Sequence, residues 1–111
     1  MTEYCLAFST CPDREEALRI ARILTQEQLA ACVSIVPEIL SVYRWKGAVE
    51  EASEVLLLIK TARSLVPGLQ SRLTEIHPYE VPELITLPIT GGLPAYLSWI
   101  GEETLRCPPQ P

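Results

Sequence analysis

Residues 32–61 read CVSIVPEILSVYRWKGAVEEASEVLLLIKT, two runs of strand-forming residues that meet at Lys46-Gly47. β-Branched and aromatic side chains crowd both arms, and a Gly-containing turn between such arms predicts a β-hairpin. In the first arm, Tyr43 and Trp45 fall on one face with Val33, Ile35 and Ile39, the alternation of a strand. The second arm alternates through Val49, Glu51, Ser53 and Val55. It then becomes the continuous run Val55-Leu56-Leu57-Leu58-Ile59, which predicts burial on both faces.

The first arm is long for its domain. Fourteen residues at ~3.3 Å each reach roughly 46 Å. A chain of 111 residues should have a radius of gyration near ~13 Å, a diameter of roughly 35 Å. The outer half of the hairpin is therefore expected to project beyond its own sheet. Val42, Tyr43 and Trp45 on such a projection need a cover. A second copy of the chain is the simplest one, so an obligate homo-oligomer is expected. The alternative is a hairpin bent back on its own sheet, with Pro37 marking the bend or a bulge.

The length fits one domain, residues 1–111, with a modest core. A net charge of −5 argues against a nucleic-acid partner, because phosphate binding needs a basic face. No apolar run approaches the ~20 residues of a membrane span, and the N-terminus lacks the pattern of a signal peptide. No membrane partner is expected, and a cytoplasmic location is. Cys5, Cys11, Cys32 and Cys107 form neither a C-x-x-C pair nor a zinc spacing, so reduced thiols are expected.

Residues 3–9 alternate into a first strand. Thr10 or Cys11 before Pro12 reads as a helix start, with Asp13, Glu15 and Glu16 at its positive end and an apolar stripe of Ala17, Ile20, Ala21 and Leu24. That helix should run to about Leu29. A second helix spans 64–76, with Ser64 as N-cap and Pro67-Gly68 in its first turn, and stops at His77-Pro78. Residues 84–89 form a strand that Pro88 places at an edge. Residues 94–105 form a last helix with Tyr96, Leu97, Ile100 and Leu105 facing inward, and 107–111 a frayed tail. The order β-α-β-β-α-β predicts an α+β, ferredoxin-like fold with a projecting hairpin and a C-terminal helix. That fold names no function.

Leu29-Ala30-Ala31-Cys32-Val33, Tyr43-x-Trp45-x-Gly47, Leu58-Ile59-Lys60-Thr61, His77-Pro78-Tyr79-x-x-Pro82-Glu83 and Tyr96-Leu97-x-Trp99 follow in register. Together they resemble the CutA family, the divalent-cation tolerance proteins, over roughly residues 3–106. The resemblance implies a tight homotrimer with strand exchange between long hairpins, similar in architecture to the PII signalling proteins. It also implies a link to tolerance of copper and other divalent ions, copper binding in some members, no catalytic reaction and no obligatory cofactor.

His77, the single histidine, is a candidate ligand for copper(II) or another divalent cation, because imidazole suits such ions. Its plainer role is a polar helix end. In copper-binding members the resemblance places a cysteine where this chain has Ser9, and a second histidine where it has Ile76. Cys11 is the substitute ligand. Lys60, Tyr79, Glu83 and Trp45 are candidates for a pocket at a subunit interface, with Glu83 the expected ion-pair partner of Lys60. Tyr43 and Trp45 are also expected to pack at the interface, and Trp99 in the core or interface. Glu50, Glu51 and Glu54 form an acidic cluster able to gather cations weakly.

Three function classes compete. The first is a non-enzymatic trimeric ion-tolerance protein. The second is a PII-like regulatory module binding a small ligand or partner in subunit clefts, weakened by the lack of a glycine-rich phosphate cradle. The third is a small acylphosphatase-like enzyme, whose Arg–Asn pair a chain without asparagine cannot supply. A purely structural scaffold stays open beside them.

Overall fold

The computed structural model describes residues 3–105. Its elements are β1 (Tyr4–Cys11), α1 (Arg14–Gln26), β2 (Cys32–Trp45), β3 (Ala48–Ala62), α2 (Val66–Ile76), β4 (Ile85–Pro88) and α3 (Pro94–Glu102). The strands lie in the order β2-β3-β1-β4 with every neighbour antiparallel. With α1 and α2 packed on one face, this is the ferredoxin-like arrangement. The tail expected at 107–111 lies outside the described residues.

The hairpin turn is built as its residues demand. Trp45 pairs with Ala48, and the two residues between them, Lys46 and Gly47, have φ of 51° and 84°. Two positive φ values in a two-residue loop make a type I′ turn, which glycine adopts without strain. The molecule measures 45 × 32 × 26 Å. At the outer hairpin Leu40 and Val42 are 66% and 62% exposed, so the hairpin projects and is not folded back.

A bulge does interrupt it. Val36 pairs with Leu56 and Ile39 with Glu54, so Pro37 and Glu38 together oppose Val55. Glu38 takes the left-handed conformation, φ 61°. The extra residue reverses the facing of everything beyond it. Val33 and Ile35, opposite Ile59 and Leu57, pack toward the helices. Ile39, Tyr43 and Trp45, opposite Glu54, Glu50 and Ala48, point the other way. The expectation that all five share a face is thus corrected.

The core lies between the sheet and the two helices: Ala7, Cys11, Leu57 and Ile59 meet Ala17, Ile20 and Leu24 of α1 and Leu69 and Leu73 of α2. On β3 only this face is fully buried. Leu56, Leu58 and Lys60 on the opposite face are half-buried, so burial on both faces is not completed within one chain. Over that open face, α3 crosses near its Tyr4 end. A Cβ at Gly101 would sit 3.0 Å from the Tyr4 hydroxyl, so glycine permits the approach. Ile100 is the fully buried residue of α3, whereas Tyr96, Trp99 and Leu105 remain exposed. The inward face expected of that helix is thus largely uncovered in one chain.

Helix boundaries shift for local reasons. β1 continues through Cys11, and Asp13 caps α1 by accepting the Glu16 N–H at 2.8 Å. The left-handed Gln28, φ 60°, closes that helix before Leu29. Ser64 lies inside a 3-10 turn (Arg63–Leu65) ahead of α2, and Leu65 takes the N-cap position. At the other end α2 stops at Ile76, as Pro78 requires, and Arg19 of α1 donates to the Ile76 carbonyl.

Candidate functional site

β1 ends where Cys11 pairs with Val55, so the first half of β3 has only β2 as a neighbour. The segment that follows α2 comes round this end of β1, and together they border an open cavity of about 620 Å³. The hairpin lines it with Ser41, Val42, Tyr43, Trp45, Glu50 and Glu54. Thr10 lies at the end of β1, and Tyr79, Glu80, Val81 and Glu83 complete the wall. Four carboxylates and three aromatic rings thus share one space with no lysine, arginine or histidine in its lining.

Glu54 is the innermost carboxylate, only 8% exposed. Its Oε2 accepts the Tyr79 hydroxyl at 2.7 Å. It has no cationic partner within ion-pair distance among the described residues. Burial, then its bond to Glu54, push the Tyr79 phenol well above its ordinary value, so the hydroxyl stays protonated and able to donate. Glu83 is also raised, by desolvation and by the negative charge of Glu54. The cavity is therefore a negative site with no base in its lining, in which the charge of Glu54 raises the cost of charging Glu83.

His77 stands behind this wall. Its Nε2–H donates to the Thr10 carbonyl at 2.7 Å, and its Nδ1 accepts the Tyr79 N–H at 3.0 Å. The two bonds fix a neutral imidazole with the proton on Nε2. Burial lowers its pKa, against the raising effect of the Thr10 carbonyl. Tyr79 also stacks on the ring, centroids 4.8 Å apart, so the histidine holds the residue that reaches Glu54.

Cys11 lies 3.9 Å from His77 Nε2, as a metal pair would require. It is fully buried, and burial, followed by the charges of Glu16 and Asp13, pushes its thiol up to about 12. A metal ligand must be a thiolate or an imidazole with a free nitrogen lone pair. In the metal-free protein Cys11 keeps its proton and both imidazole nitrogens are taken by backbone bonds that a metal would have to displace, and no group of three candidate ligands is gathered among the described residues. The pair does not fit copper(II), and its geometry is that of a buried polar joint. Beside it, the Ser9 hydroxyl is buried without a hydrogen-bond partner among the described residues.

Of the four pocket candidates, Trp45, Tyr79 and Glu83 line the cavity and Lys60 does not. Lys60 lies opposite Leu6 on the open face, and its ammonium donates to the Ser34 hydroxyl. No ion pair joins Lys60 and Glu83 within the described chain. The reason is register: Leu6 pairs with Leu87, while Glu83 precedes Ile85, which pairs with Phe8 nearer the other end of β1. The acidic cluster of the second arm also divides. Glu50 and Glu54 enter the cavity, and Glu51, opposite Val42, does not. Thr10 and Glu80 were not singled out as site residues in the sequence: Thr10 reaches β3 through its pairing with Leu56, and Glu80 arrives only with the segment that follows α2.

The family model for the CutA1 divalent ion tolerance protein matches residues 5–103. The chain belongs to this family. It is 51% identical to mouse Protein CutA over 98 residues, which cover 88% of this chain and 55% of that one. It is 50% identical to the divalent-cation tolerance protein CutA of Thermus thermophilus, over 86% of this chain and 92% of that one. The crystal structure of CutA1 from Oryza sativa superposes with a TM-score of 0.92 at 42% identity, covering 96% and 97% of the two chains. The chain spans little more than half the length of the mouse and human CutA proteins it matches. No helix among the described residues is long and apolar enough to cross a membrane.

Proposed function

We propose that this CutA1-family chain works as a homotrimeric, non-enzymatic divalent-cation tolerance protein of the cytoplasm. Its cation-attracting site is the carboxylate cavity, not His77 and Cys11. The observation that carries the reading is the cavity itself: Glu50, Glu54, Glu80 and Glu83 face one space with no base to balance them. Hard divalent cations prefer carboxylate oxygens, and opposite charge in a partly desolvated cleft is attracted more strongly than in open water. Since no three-ligand chelate is preformed, the cation is held with its water shell, by charge rather than by a fixed coordination sphere. No cofactor is obligatory, although copper(II) is among the cations the site attracts.

Self-association is supported by the half-covered sheet. Leu6, Phe8, Leu56 and Leu58 on the open face continue into the exposed Ile85 and Leu87 of the edge strand. Together with the bare hairpin arms and the unpaired outer edges of β2 and β4, this is more apolar surface and strand edge than a lone subunit tolerates. Three as the number of copies rests on the family resemblance. A non-enzymatic role is supported by the Cys11–His77 contact, where a protonated thiol faces an imidazole N–H already given to a carbonyl. The test is light scattering of the purified chain, followed by calorimetric titration with manganese(II). The reading expects a trimer and saturable binding that weakens with added salt. A monomer at micromolar concentration, or no heat of binding at low salt, overturns it.

A second reading, a module that binds a small organic ligand at this place, is favoured by one observation. A volume near 620 Å³ with Tyr43, Trp45 and Tyr79 in its wall falls within the usual size of small-molecule sites.

A further inference from the structure

Away from the cavity, the open face of the sheet carries a cysteine–lysine pair that the proposed cation site does not use. Cys32 and Lys60 are directly opposed on β2 and β3. The Lys60 ammonium lies 3.7 Å from Cys32 Sγ and donates to Ser34, whose Oγ is 3.8 Å from the same sulfur. Both residues are half-buried, and Lys60 has no carboxylate within ion-pair distance among the described residues. Side chains opposed across a strand pair have Cβ atoms ~4.5–5.5 Å apart. The flexible four-carbon stem of lysine can swing its nitrogen over what remains. The other described thiols, Cys5 and Cys11, are buried in or beside the core and raised by burial, and no lysine among the described residues is bonded to either.

We propose that Cys32 and Lys60 form a peroxide-responsive pair that closes into a covalent sulfur–nitrogen link between β2 and β3. The oxidant is hydrogen peroxide. The Cys32 thiolate attacks one peroxide oxygen, so that an S–O bond forms, the O–O bond breaks and hydroxide leaves. Sulfur is oxidised by two electrons to the sulfenic acid, and peroxide is reduced. Lys60, once its ammonium has given a proton to water, attacks that sulfur with its nitrogen lone pair. The N–S bond forms, the S–O bond breaks, and the oxygen departs as water with the second amine proton. Thiol, amine and one peroxide thus give the link and two waters. Two equivalents of an added thiol reverse it, returning Cys32 and Lys60 and leaving a disulfide of the reductant.

The test is mass spectrometry of the full chain before and after hydrogen peroxide, with peptide mapping. The expected product is lighter by two hydrogen atoms, resists tryptic cleavage after Lys60, joins the peptides that hold Cys32 and Lys60, and reverts with dithiothreitol. The chain has only two lysines, and Lys46 is at the hairpin tip, so the joined peptide is unambiguous. A disulfide loses the same two hydrogens. The link must therefore disappear in Lys60→Met and in Cys32→Ser, and persist in Cys107→Ser. Mapping of the wild-type chain separates the two products even where a variant fails to fold. Oxygen addition at Cys32 with Lys60 still cleavable, a cysteine–cysteine peptide in place of the cysteine–lysine one, or an unmodified Cys32 overturns the proposal.

Discussion

Replacing Tyr79 by phenylalanine removes one hydroxyl and leaves its ring on His77. That hydroxyl donates at 2.7 Å to a carboxylate that is 8% exposed and has no cation within reach. A hydrogen bond to a charged group contributes about 1.5–3 kcal/mol, and its loss leaves the buried acceptor unsatisfied. Tyr79→Phe is therefore expected to destabilise the chain by about 2 kcal/mol, near the middle of that range. With m of roughly 1–3 kcal/mol/M, the urea midpoint falls by about 1 M. Glu54→Gln keeps an acceptor of the same shape but removes its charge. The double-mutant cycle of the two substitutions should give a coupling of about 1–2 kcal/mol. The assay is urea unfolding of the four chains at one fixed protomer concentration, since association shifts apparent stability. A coupling within the ~0.3–0.5 kcal/mol scatter of independent sites would refute the role given to this bond.

His77 is neutral in the fold and its pKa is lowered by burial. Above its ordinary value of ~6.5 the residue adds no pH dependence; below it the unfolded chain takes up a proton that the folded chain resists, and stability falls. The fall is at most about 1.4 kcal/mol per pH unit for one proton, continues until the folded pKa is passed, and should be missing from His77→Gln in unfolding curves taken from pH 8 to 5. Leu57 is fully buried against the helices, so Leu57→Ala should cost about 2–5 kcal/mol in denaturant unfolding, and a cost under ~1 kcal/mol would contradict the assigned core. Leu40→Lys with Val42→Lys charges the bare hairpin arm; sedimentation should then show smaller species than the wild type, with β-sheet circular dichroism retained.

Much of the fold was legible because its decisive signals are local. Lys46-Gly47 specifies its turn through backbone conformation alone, Pro78 stops α2, and Pro88 marks β4 as an edge. The facing of Tyr43 and Trp45 was not legible. It depends on Pro37 and Glu38 together opposing Val55, and that two-against-one count exists only once the strands are paired. The Lys60–Glu83 pair failed for a similar reason. Lys60 lies within β3 and Glu83 just before β4, but the register of β1 with β3 and β4 places them toward different ends of β1. In the site, Tyr79, Glu83 and Trp45 could be read from their motifs. Glu54 as the inner carboxylate could not, because its contact with Tyr79, 25 residues further on, exists only once the segment after α2 has folded against the hairpin. His77 and Cys11, each read from the sequence as a candidate ligand, lie 3.9 Å apart. Their chemistry was not visible, because the bonds that occupy the imidazole come from the backbone of Thr10 and Tyr79, which no side-chain pattern records.

The central claim is that divalent cations meet this protein at the carboxylate cavity. Its most direct measurement is copper(II) calorimetry on four chains at one ionic strength: wild type, His77→Gln, Cys11→Ser, and the double variant Glu54→Gln with Glu83→Gln. The account predicts closely similar isotherms for the first three and at least a tenfold weakening in the fourth, about 1.4 kcal/mol. Tight binding that vanishes with His77 or Cys11 and survives the loss of both carboxylates would contradict it.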